Sequence, residues 1–487
     1  MILNNKNGRN FINGEWKESI SRETSNSINP ATNENIGTTQ KSTTEDIQLA
    51  IEIAHQAFNK SEWKSNSSLR ADALMAWAQN LKENSEELAQ LLTMENGKTI
   101  NESRKELNAC IDTLKYFAGM SRSIFGRSIN LSETSYGIID KDPIGVVGII
   151  SPWNWPAMLM IREAAPALAA GNTVILKPAS HTPLISLALV GVIENIEEFP
   201  PGVVNMVTGP GSVIGQEIAE SPYVNAISFT GDTTTGKQLM KNASEKVKKL
   251  ALELGGKSPH VLFSDANLTK AIPIINQSIF NTAGQMCFAG SRVIVHESIH
   301  EEVVEALRKE AENLKVGNGL DESVDMGPVI SEKQQKEVMD FIELGKRESK
   351  LITGGNSLQG EDFDKGYFIE PTIFDEVPIE AKIAQEEIFG PVLVVQTFKD
   401  EAEAIELANG TIFGLAAGVW TKNINKAVRV SKKIDAGTVW INTYNKNYPQ
   451  TEFGGYKESG LGRTRGIEGL LEYTETKHIN VEIDESE

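Results

Sequence analysis

The chain has 487 residues, of which 40% are apolar, and its 47 basic and 66 acidic side chains give a formal net charge of −19. This length exceeds what one hydrophobic core usually supports, so we expect two or three domains. The acidic balance argues against a nucleic-acid or anionic-membrane partner, because both require a basic face. Two cysteines, Cys110 and Cys287, are too few for a disulfide framework and favour a reducing compartment.

The sequence contains no pattern typical of a targeting or membrane-spanning segment. The N-terminal residues MILNNKNGRN are polar and lack the apolar core of a signal peptide. Apolar runs such as residues 144–150 have the length of a strand and fall well short of the ~20 residues that a membrane helix requires. The sequence therefore predicts a cytoplasmic protein with no membrane partner.

The first quarter of the sequence has mainly helical patterns. It opens with an Asn-Gly pair at residues 13–14 between apolar positions, which predicts a hairpin. Apolar residues then recur at helical spacing, and Thr44 is the predicted N-cap of the first helix. The fourth and longest helix is expected to bury Cys110. The predicted helices span residues 45–59, 69–82, 86–95 and 100–120.

After residue 145, strand-like apolar runs alternate with helical patterns. The predicted strands are 146–151, 173–177, 203–207, 226–230 and 249–254, with helices at 158–170, 184–196, 213–220 and 236–246. This alternation is typical of a parallel, doubly wound sheet. Such sheets bind cofactors at the carboxyl ends of their strands.

The pattern restarts after Gly256 and predicts a second α/β unit. Its predicted strands are 261–263, 292–296, 351–353, 392–398, 415–421 and 438–442, and its helices are 268–282, 299–314, 332–346, 401–409 and 424–434. The strand-like segment 479–483 has no partner nearby in the sequence. A terminal strand of this kind often pairs across a subunit interface.

One of the two cysteines lies in a context suited to catalysis. Cys287 is the fourth residue of the stretch GQMCFAGSR, at 284–292, which precedes an apolar run. Glycines on both sides allow the backbone to approach a substrate and to direct N–H groups at it. A lone cysteine is more often a structural core residue, so the catalytic interpretation depends on the rest of the chain.

Five further motifs support the catalytic interpretation. They are SPWNWP at 151–156, LKP at 176–178, FTG at 229–231, LELGGKSP at 252–259 and QEEIFGPV at 385–392. Together with the Cys287 stretch, they resemble the aldehyde dehydrogenase superfamily in order and spacing over essentially the whole chain.

The resemblance implies an α/β fold with three parts. A Rossmann-like cofactor domain would comprise residues 1–124 and 144–255, and a second α/β catalytic domain residues 256–457. A small β extension, residues 125–143 and 473–487, would mediate assembly into a homodimer or homotetramer.

The resemblance also implies NAD(P)⁺-dependent oxidation of a small-molecule aldehyde to its carboxylic acid. Cys287 would add to the carbonyl as a thiolate, giving a thiohemiacetal and, after hydride transfer, a thioester. The Asn154 amide and the Cys287 backbone N–H would stabilise the oxyanion. Glu253 lies between apolar residues and would be the base for thioester hydrolysis, since burial raises the pKa of a carboxylate. No metal site is implied.

The cofactor, NAD or NADP, is assigned its residues by the same resemblance. Lys177 would bind the adenine ribose and Glu387 the nicotinamide ribose, while Phe389 would pack on the nicotinamide. The turn and helix start at 231–236 would lie near the pyrophosphate. The complete predicted set is Ser151, Trp153, Lys177, Ser180, Gly211, Gly231, Asp232, Gly236, Leu254, Glu387 and Phe389.

Four positions depart from the pattern of many relatives. Asp232 replaces a small hydroxyl residue beside the pyrophosphate, where it can cap the following helix but would repel a phosphate. Ser180 replaces a glutamate of NAD-preferring relatives, so its hydroxyl and Lys177 favour acceptance of the NADP 2′-phosphate. The alternative is a surface serine, with NAD still used. Glu163 and Thr464 replace a lysine and a glutamate beside the water channel. The usual proton route cannot be assumed, and Glu163 is itself a candidate for it.

The sequence leaves the identity of the aldehyde open. Arg162, at the predicted substrate entrance, favours a semialdehyde with a distal carboxylate, although Asn281 replaces the second arginine of semialdehyde relatives. Aromatic side chains favour an aromatic aldehyde or betaine aldehyde, and an aliphatic aldehyde is also a candidate. The aromatic residues are Trp155, Tyr444, Tyr448 and Phe453. The predicted substrate set is Arg162, Trp155, Met286, Phe288, Tyr444 and Phe453.

Two alternative functions are compatible with the same scaffold. A CoA-acylating aldehyde dehydrogenase would transfer the acyl group to CoA, but that branch often lacks the base that Glu253 would supply. A non-catalytic binding or structural protein would be expected to lose Cys287 or Asn154, and both are present. The hydrolytic reaction is therefore favoured on the residues of the site rather than on the fold.

Overall fold

A computed structural model describes residues 7–483 of the chain. Most of the polar N-terminal stretch, on which the prediction of no signal peptide rests, and residues 484–487 of the predicted oligomerisation extension lie outside the described residues. Between residues 7 and 483, no helix combines the length and the apolar character needed to cross a membrane.

The N-terminal region contains five short strands and four helices. The strands are β1 (Asn7–Gly8), β2 (Asn10–Ile12), β3 (Glu15–Lys17), β4 (Thr24–Ile28) and β5 (Asn35–Gln40). The helices are α1 (Thr44–Lys60), α2 (Ser67–Glu83), α3 (Ser85–Asn96) and α4 (Ile100–Met120). Strands β2 and β3 pair antiparallel with Phe11 opposite Trp16, which confirms the predicted hairpin. Cys110 is fully buried in α4, as predicted.

The N-cap of α1 is Thr43, so the prediction of Thr44 was wrong by one residue. The Thr43 hydroxyl accepts a hydrogen bond from the backbone N–H of Asp46, and the Asp46 carboxylate accepts one from Thr43 N at 2.8 Å. This reciprocal capping box requires a carboxylate or amide three residues after the cap. Three residues after Thr44 stands Ile47, which cannot accept a hydrogen bond through its side chain.

The middle of the chain forms the strands and helices of the predicted doubly wound unit. The strands are β6 (Arg127–Asn130), β7 (Ser135–Pro143), β8 (Val146–Ile150), β9 (Thr173–Lys177), β10 (Val204–Met206), β11 (Val224–Thr230) and β12 (Lys249–Glu253). The helices are α5 (Pro156–Ala169), α6 (Pro183–Gly191), α7 (Gly211–Glu220) and α8 (Thr233–Ser244).

The C-terminal half forms a second set of strands and helices. The strands are β13 (Pro259–Leu262), β14 (Arg292–His296), β15 (Lys350–Thr353), β16 (Thr372–Asp375), β17 (Val392–Phe398), β18 (Phe413–Gly414), β19 (Ala416–Trp420), β20 (Thr438–Ile441), β21 (Tyr456–Lys457), β22 (Gly460–Leu461) and β23 (Thr474–Glu482). The helices are α9 (Leu268–Phe280), α10 (His300–Glu312), α11 (Glu332–Glu348), α12 (Lys382–Gln385), α13 (Glu401–Asn409), α14 (Ile424–Ser431) and α15 (Gly466–Leu471).

Two large sheets organise these elements and confirm the α/β fold class. In the first, the order is β22-β12-β11-β8-β9-β10-β2-β3, and the five strands from β12 to β10 are parallel. The chain leaves β8 on one side through β9 and β10 and returns on the other side with β11 and β12. The strand order thus reverses beside β8, where sheets of this kind form a ligand crevice. The second sheet has the order β15-β16-β17-β14-β13-β19-β20.

The chain crosses back to the first sheet after the second is complete. Strand β22 pairs antiparallel with β12 and places Gly460 opposite Glu253. The backbone of Ser459 also accepts a hydrogen bond from Leu254 N at 2.9 Å. This crossing brings residues 459–465 next to the carboxyl end of β12. The prediction missed it because β22 has only two residues, too few to show a periodicity.

The terminal strand finds its partner within its own chain. Strand β23 pairs antiparallel with β7 along the whole of Ser135–Pro143, and β6 pairs with the other edge of β7. The segment has no local partner, as predicted, and the strand that pairs with it is distant in sequence but belongs to the same chain. The two segments of the predicted oligomerisation extension therefore form one three-stranded sheet.

Candidate active site

The segment before Cys287 has an unusual backbone that its neighbours hold in place. Helix α9 ends in a short 3-10 turn in which Thr282 and Ala283 both have φ of 51° and Gly284 has φ of 74°. Thr282 donates two hydrogen bonds to one oxygen of Glu102, from its backbone N–H at 2.7 Å and from its hydroxyl at 3.0 Å. A side chain on Gly284 would clash with the carbonyl of Gly390, so only glycine fits there.

Cys287 is half-buried at the end of this turn, and its thiol is neutral at rest. Burial raises the pKa of the Cys287 thiol to about 12, and nearby Arg162 opposes this shift only in part. A nucleophilic cysteine reacts as a thiolate. The thiol therefore needs a neighbouring base to take its proton.

Glu253, the last residue of β12, is a buried carboxylate with no internal partner. Burial raises its pKa to about 8, while the positive charge of Arg162 acts in the opposite direction. Neither carboxylate oxygen has a hydrogen-bond partner among the described residues. A group of this kind can accept a proton near neutral pH and has both oxygens free to do so.

Asn154 lies in the loop between β8 and α5, and its amide reaches the cysteine turn. Its Nδ2 donates a hydrogen bond to the backbone carbonyl of Gln285 at 2.9 Å. An asparagine amide carries two N–H donors, and the second one of Asn154 donates to no acceptor among residues 7–483. The Gln285 side chain anchors the same turn, since its Nε2 donates to Thr282 O at 2.9 Å and its Oε1 accepts from Ile330 N at 2.9 Å.

A buried ion pair behind Asn154 holds its loop, and the sequence analysis missed it. Lys98 Nζ lies 2.5 Å from Glu106 Oε2 and donates to the backbone carbonyl of Asn154 at 2.8 Å. The other Glu106 oxygen accepts from the backbone N–H groups of Ala157 and Met158, in the first turn of α5. A carboxylate at that place satisfies free donors and complements the helix dipole. The only sequence signal was that Glu106 falls on the core face of α4.

The three predicted catalytic residues line one end of a cleft of about 1010 Å³. The cleft runs along the carboxyl ends of β8, β9, β11 and β12 and reaches helix α11 of the second unit. The predicted residues on its wall are Ser151, Trp153, Asn154, Lys177, Ser180, Gly211, Gly231, Asp232, Glu253, Leu254, Cys287, Glu387 and Phe389. Gly236 is not on the wall, but a side chain there would clash with Leu254, so it lets α8 approach. Wall residues that the prediction missed include Leu159, His181, Gln334 and Phe341.

Two charged side chains in the cleft, the buried Lys177 and the half-buried Glu387, are shifted toward their neutral forms. Burial lowers the pKa of Lys177 to about 8, and its Nζ donates only to the carbonyl of Pro178, at 3.0 Å, among the described residues. Burial raises the pKa of Glu387 to about 7, although its Oε1 accepts a hydrogen bond from Gly256 N at 3.0 Å. Both groups retain hydrogen-bonding capacity for a polar ligand in the cleft.

The starts of two helices face this cleft and differ in their caps. Asp232 caps α8, accepting from Thr235 N at 2.9 Å, as predicted. At α7 the N-cap is Pro210, and no side chain within the described part of the chain caps that helix. A side chain on Gly211 would stand 4.0 Å from Lys177 Nζ. The start of α7 therefore presents free backbone donors beside a lysine, which suits an anion.

None of the predicted substrate residues lines this cleft, and three of them, Phe288, Tyr444 and Phe453, lie beside Cys287 elsewhere. Phe453, Tyr444 and Trp440 form a hydrophobic cluster against which Cys287 and Phe288 pack. The Tyr444 hydroxyl donates to Phe288 O at 2.8 Å, and the rings of Phe288 and Phe453 lie 5.8 Å apart, edge to face.

Three other aromatic or apolar side chains of the substrate prediction have different surroundings. Met286 is buried in the core of the second sheet, and Tyr448 is exposed. Trp155 is half-buried under Lys98, whose Nζ lies 4.1 Å from the ring centroid.

The chain is similar to known proteins in both sequence and fold. A model of the aldehyde dehydrogenase family matches residues 16–479. The chain belongs to this family. It is 42% identical over 473 residues to betaine aldehyde dehydrogenase of Bacillus subtilis (strain 168), covering 96% of each chain.

Two solved structures are similar in fold over nearly their whole length. An NAD⁺ complex of betaine aldehyde dehydrogenase from Staphylococcus aureus has a TM-score of 0.97 at 38% identity, covering 100% of this chain and 98% of that one. An NAD⁺ complex of aldehyde dehydrogenase from Bacillus cereus has a TM-score of 0.96 at 41% identity, covering 99% and 97%. The aldehyde dehydrogenase fold expected from the motifs is thus confirmed.

This aldehyde dehydrogenase has a buried charge cluster beside Glu253 that only its structure reveals. Arg162 Nε donates to Glu163 at 2.7 Å, and Arg162 Nη2 donates to the hydroxyl of Thr230 at 3.1 Å. The hydroxyl of Tyr473 donates to the other Glu163 oxygen at 2.8 Å. The sequence analysis predicts that the Arg162 guanidinium pairs with a substrate carboxylate. In the structure it is already paired with the carboxylate of Glu163. Thr464 is buried and pairs through its backbone with Phe453.

The Lys98–Glu106 pair yields a stability prediction for this dehydrogenase. Lys98→Met alone should lower the free energy of unfolding by about 3–5 kcal/mol, because it leaves the Glu106 carboxylate buried without a counter-charge. The double variant Lys98→Met/Glu106→Gln removes both charges and keeps an acceptor for α5, so it should recover much of that loss. Urea unfolding midpoints of the three proteins measure the effect. Equal stability of the single and double variants would contradict this account.

Proposed function

We propose that this chain oxidises aldehydes to carboxylic acids with NAD⁺ or NADP⁺, through a covalent intermediate on Cys287. The observation that carries the proposal is the meeting of a thiol, an amide donor and a partnerless buried carboxylate at one end of a dinucleotide-sized cleft. Membership of the aldehyde dehydrogenase family and the NAD⁺ complexes of two similar structures support it.

The first step is addition of the Cys287 sulfur to the aldehyde carbonyl. With a pKa of about 12 for the thiol and about 8 for Glu253, the proton stays on sulfur at rest and is transferred to the Glu253 carboxylate as the sulfur–carbon bond forms. The oxygen of the thiohemiacetal then needs donors. The second N–H of Asn154 and the backbone N–H of Cys287 are assigned to it, with Gln285 O orienting the amide.

The residues of the cleft are suited to hold the dinucleotide. Lys177 and Glu387 are assigned to the two riboses, since both line the cleft and keep polar atoms free. The pyrophosphate is assigned to the uncapped start of α7 at Gly211 rather than to α8, where the Asp232 carboxylate would repel it. A dinucleotide held there would supply a hydride acceptor for oxidation of the thiohemiacetal on Cys287.

The second half of the reaction is hydrolysis of the Cys287 thioester. Glu253 is assigned as the base that removes a proton from the attacking water, because both of its oxygens are free of protein partners. A base at this place favours water over CoA as the acyl acceptor. Glu163 is bound by Arg162 and Tyr473, so it is assigned a structural role around Glu253 rather than direct contact with water.

The substrate is a small aldehyde whose carbonyl must reach Cys287 past an aromatic cluster. The rings of Phe288, Tyr444 and Phe453 around the thiol suit an aliphatic or aromatic aldehyde. Relatives named betaine aldehyde dehydrogenase make that quaternary ammonium aldehyde a compound to test, and Arg162 makes a semialdehyde another.

We assign different roles to the units built on the different sheets. The first sheet unit, 1–124 and 144–255, would hold the cofactor, and 256–457 would supply the thiol.

We assign self-association, as a homodimer or homotetramer, to the sheet formed by β6, β7 and β23, because its strands expose apolar side chains. These are Ile129, Ile138, Ile479 and Val481. A cytoplasmic location is supported by two cysteines that are both free.

Substitutions of Cys287 and Glu253 test the chemistry. Cys287→Ala should abolish NAD(P)H formation, since no other group forms the covalent adduct. Glu253→Gln should slow turnover by about 10²–10⁴-fold, the usual contribution of a positioned base. Because Glu253 must lose its proton to act, the wild-type kcat/KM should rise with pH to a plateau above about 8. Absorbance at 340 nm measures NAD(P)H formation in both experiments. A Glu253→Gln variant whose kcat/KM still falls at acid pH would contradict the assignment.

Ser180 tests cofactor choice, since it is exposed at the cleft wall near Lys177. The wild-type kcat/KM for NAD⁺ should exceed that for NADP⁺ by less than tenfold. Ser180→Glu should reduce the NADP⁺ value by about tenfold or more, roughly 1.4 kcal/mol, by repelling the 2′-phosphate. Ser180→Ala adds no charge and is the matched control. A similar loss in both variants would show that charge is not the cause.

The β6–β7–β23 sheet tests self-association. Ile138→Asp places a charge on the exposed face of β7, opposite Ile479 of β23. The variant should form a smaller oligomer than the wild type, because the charge would be desolvated in an interface. Glu475→Asp, on the same sheet, is the conservative control. Light scattering after size-exclusion chromatography gives the masses. An unchanged oligomer mass in Ile138→Asp would show that the interface lies elsewhere.

A further inference from the structure

Arg465 occupies a position in the fold that is unfavourable for an arginine. It precedes α15, with φ of 61° and ψ of 179°, in a region of backbone conformation that residues other than glycine rarely adopt. Its side chain lies inside the protein, and the residue is only 9% exposed. It reaches this place because the chain crosses back to the first sheet at β22, next to Glu253.

The charge of Arg465 has no directly paired counter-ion in the described part of the protein, although the Glu253 and Glu163 carboxylates act on it from nearby. Its buried Nε has no hydrogen-bond partner, and no carboxylate oxygen of residues 7–483 forms an ion pair with the guanidinium. Arg162 differs, because Glu163 neutralises it at 2.7 Å. Burying a cation without a counter-charge is costly, and strained residues cluster at functional sites. The position therefore points to an anion that is not part of the chain.

The position of Arg465 relative to the thiol indicates which ligand would bring that anion. The Cζ atoms of Arg465 and Arg162 lie 5.6 Å and 6.0 Å from the centroid of the same ring, Phe453. Phe453 in turn contacts Phe288, the residue after Cys287, and belongs to the cluster against which the thiol packs. The two guanidinium groups thus lie behind the aromatic residues that surround the reacting sulfur.

We propose that Arg465, supported by Arg162, forms an anion subsite for the aldehyde, and that the preferred substrates carry a carboxylate distal to the carbonyl. This proposal rests on the proposed oxidation at Cys287. A carboxylate would give Arg465 the partner it lacks, and a guanidinium binds a carboxylate through two parallel hydrogen bonds. A quaternary ammonium aldehyde would be repelled. In this respect the chain would differ from the relatives that are named for betaine aldehyde.

Another role for Arg465 leads to a different result. If its counter-ion were the ionised Glu253 or Cys287 side chain, Arg465 would assist the chemistry of every aldehyde equally. Its removal would then reduce turnover of charged and neutral substrates alike. A subsite for a distal carboxylate affects the anionic substrate alone and acts mainly on KM, because the contact is the same before and during the reaction.

The test compares three aldehydes with the full-length enzyme: succinic semialdehyde, butanal and betaine aldehyde. In the wild type, kcat/KM should be highest for succinic semialdehyde, exceeding that for butanal by about 10- to 100-fold, the range of a hydrogen bond to a charged group. Arg465→Met should remove this advantage, leave butanal within about threefold, and raise the value for betaine aldehyde. Arg465→Lys keeps the charge without the paired donors and should be intermediate.

A matched control separates the local contact from the general loss of positive charge. Arg463 lies two residues earlier, stacks on Tyr456 at 5.6 Å and hydrogen-bonds to the backbone of Gly462. Arg463→Met removes the same charge from the same loop and should leave the preference for succinic semialdehyde unchanged. An equal loss of preference in both variants would overturn the subsite in favour of long-range electrostatics.

Binding of succinate, which cannot be oxidised at Cys287, tests the subsite without turnover. Calorimetry should detect succinate binding to the wild type and a loss of about tenfold or more with Arg465→Met. Oxidation of butanal without any preference for the semialdehyde, and without succinate binding, would overturn the subsite and leave the proposed function. Binding of succinate without oxidation of any aldehyde would overturn the proposed function and leave the subsite.

Discussion

The chemistry of this protein depends on ionisable side chains that are buried away from water where the two sheets meet. Desolvation moves three ionisable groups there toward their neutral forms: the pKa of Cys287 rises to about 12, that of Glu253 to about 8, and that of Lys177 falls to about 8. A thiol and a carboxylate shifted in this way cannot act separately. The carboxylate becomes a base in the physiological range, and the thiol becomes dependent on it.

Two buried ion pairs each support an element of the site. Lys98 and Glu106 connect α4 to the loop of Asn154, and the Arg162–Glu163 pair lies on α5 beside Thr230. Breaking such a pair leaves a charge that water cannot reach, so these pairs hold the backbone around the thiol in one arrangement. Arg465 forms no such pair, and its place beside the aromatic residues around the thiol is why we assign it a ligand.

The sequence predicted the elements well where local patterns determine them, and poorly where they do not. The predicted strands at 173–177, 292–296 and 392–398 agree with the structure to the residue, because each is a buried apolar run between clear breaks. Strand β16 was missed, since four buried residues have no periodicity of their own. The crossing at β22 and the pairing of β23 with β7 were also beyond reach, because both depend on partners far away in the chain.

By itself the sequence determined the fold class, the family and the residues that meet at the cleft, because motifs such as LELGGKSP and GQMCFAGSR combine residue types that the chemistry requires. Only the tertiary structure decided the state of those residues. That Cys287 rests as a thiol, that Arg162 is already paired with Glu163, and that Arg465 lies unpaired on Phe453 follow from burial and from distances between remote segments. Residue types are local properties of a chain, whereas desolvation and charge pairing arise only when distant parts of the chain pack together.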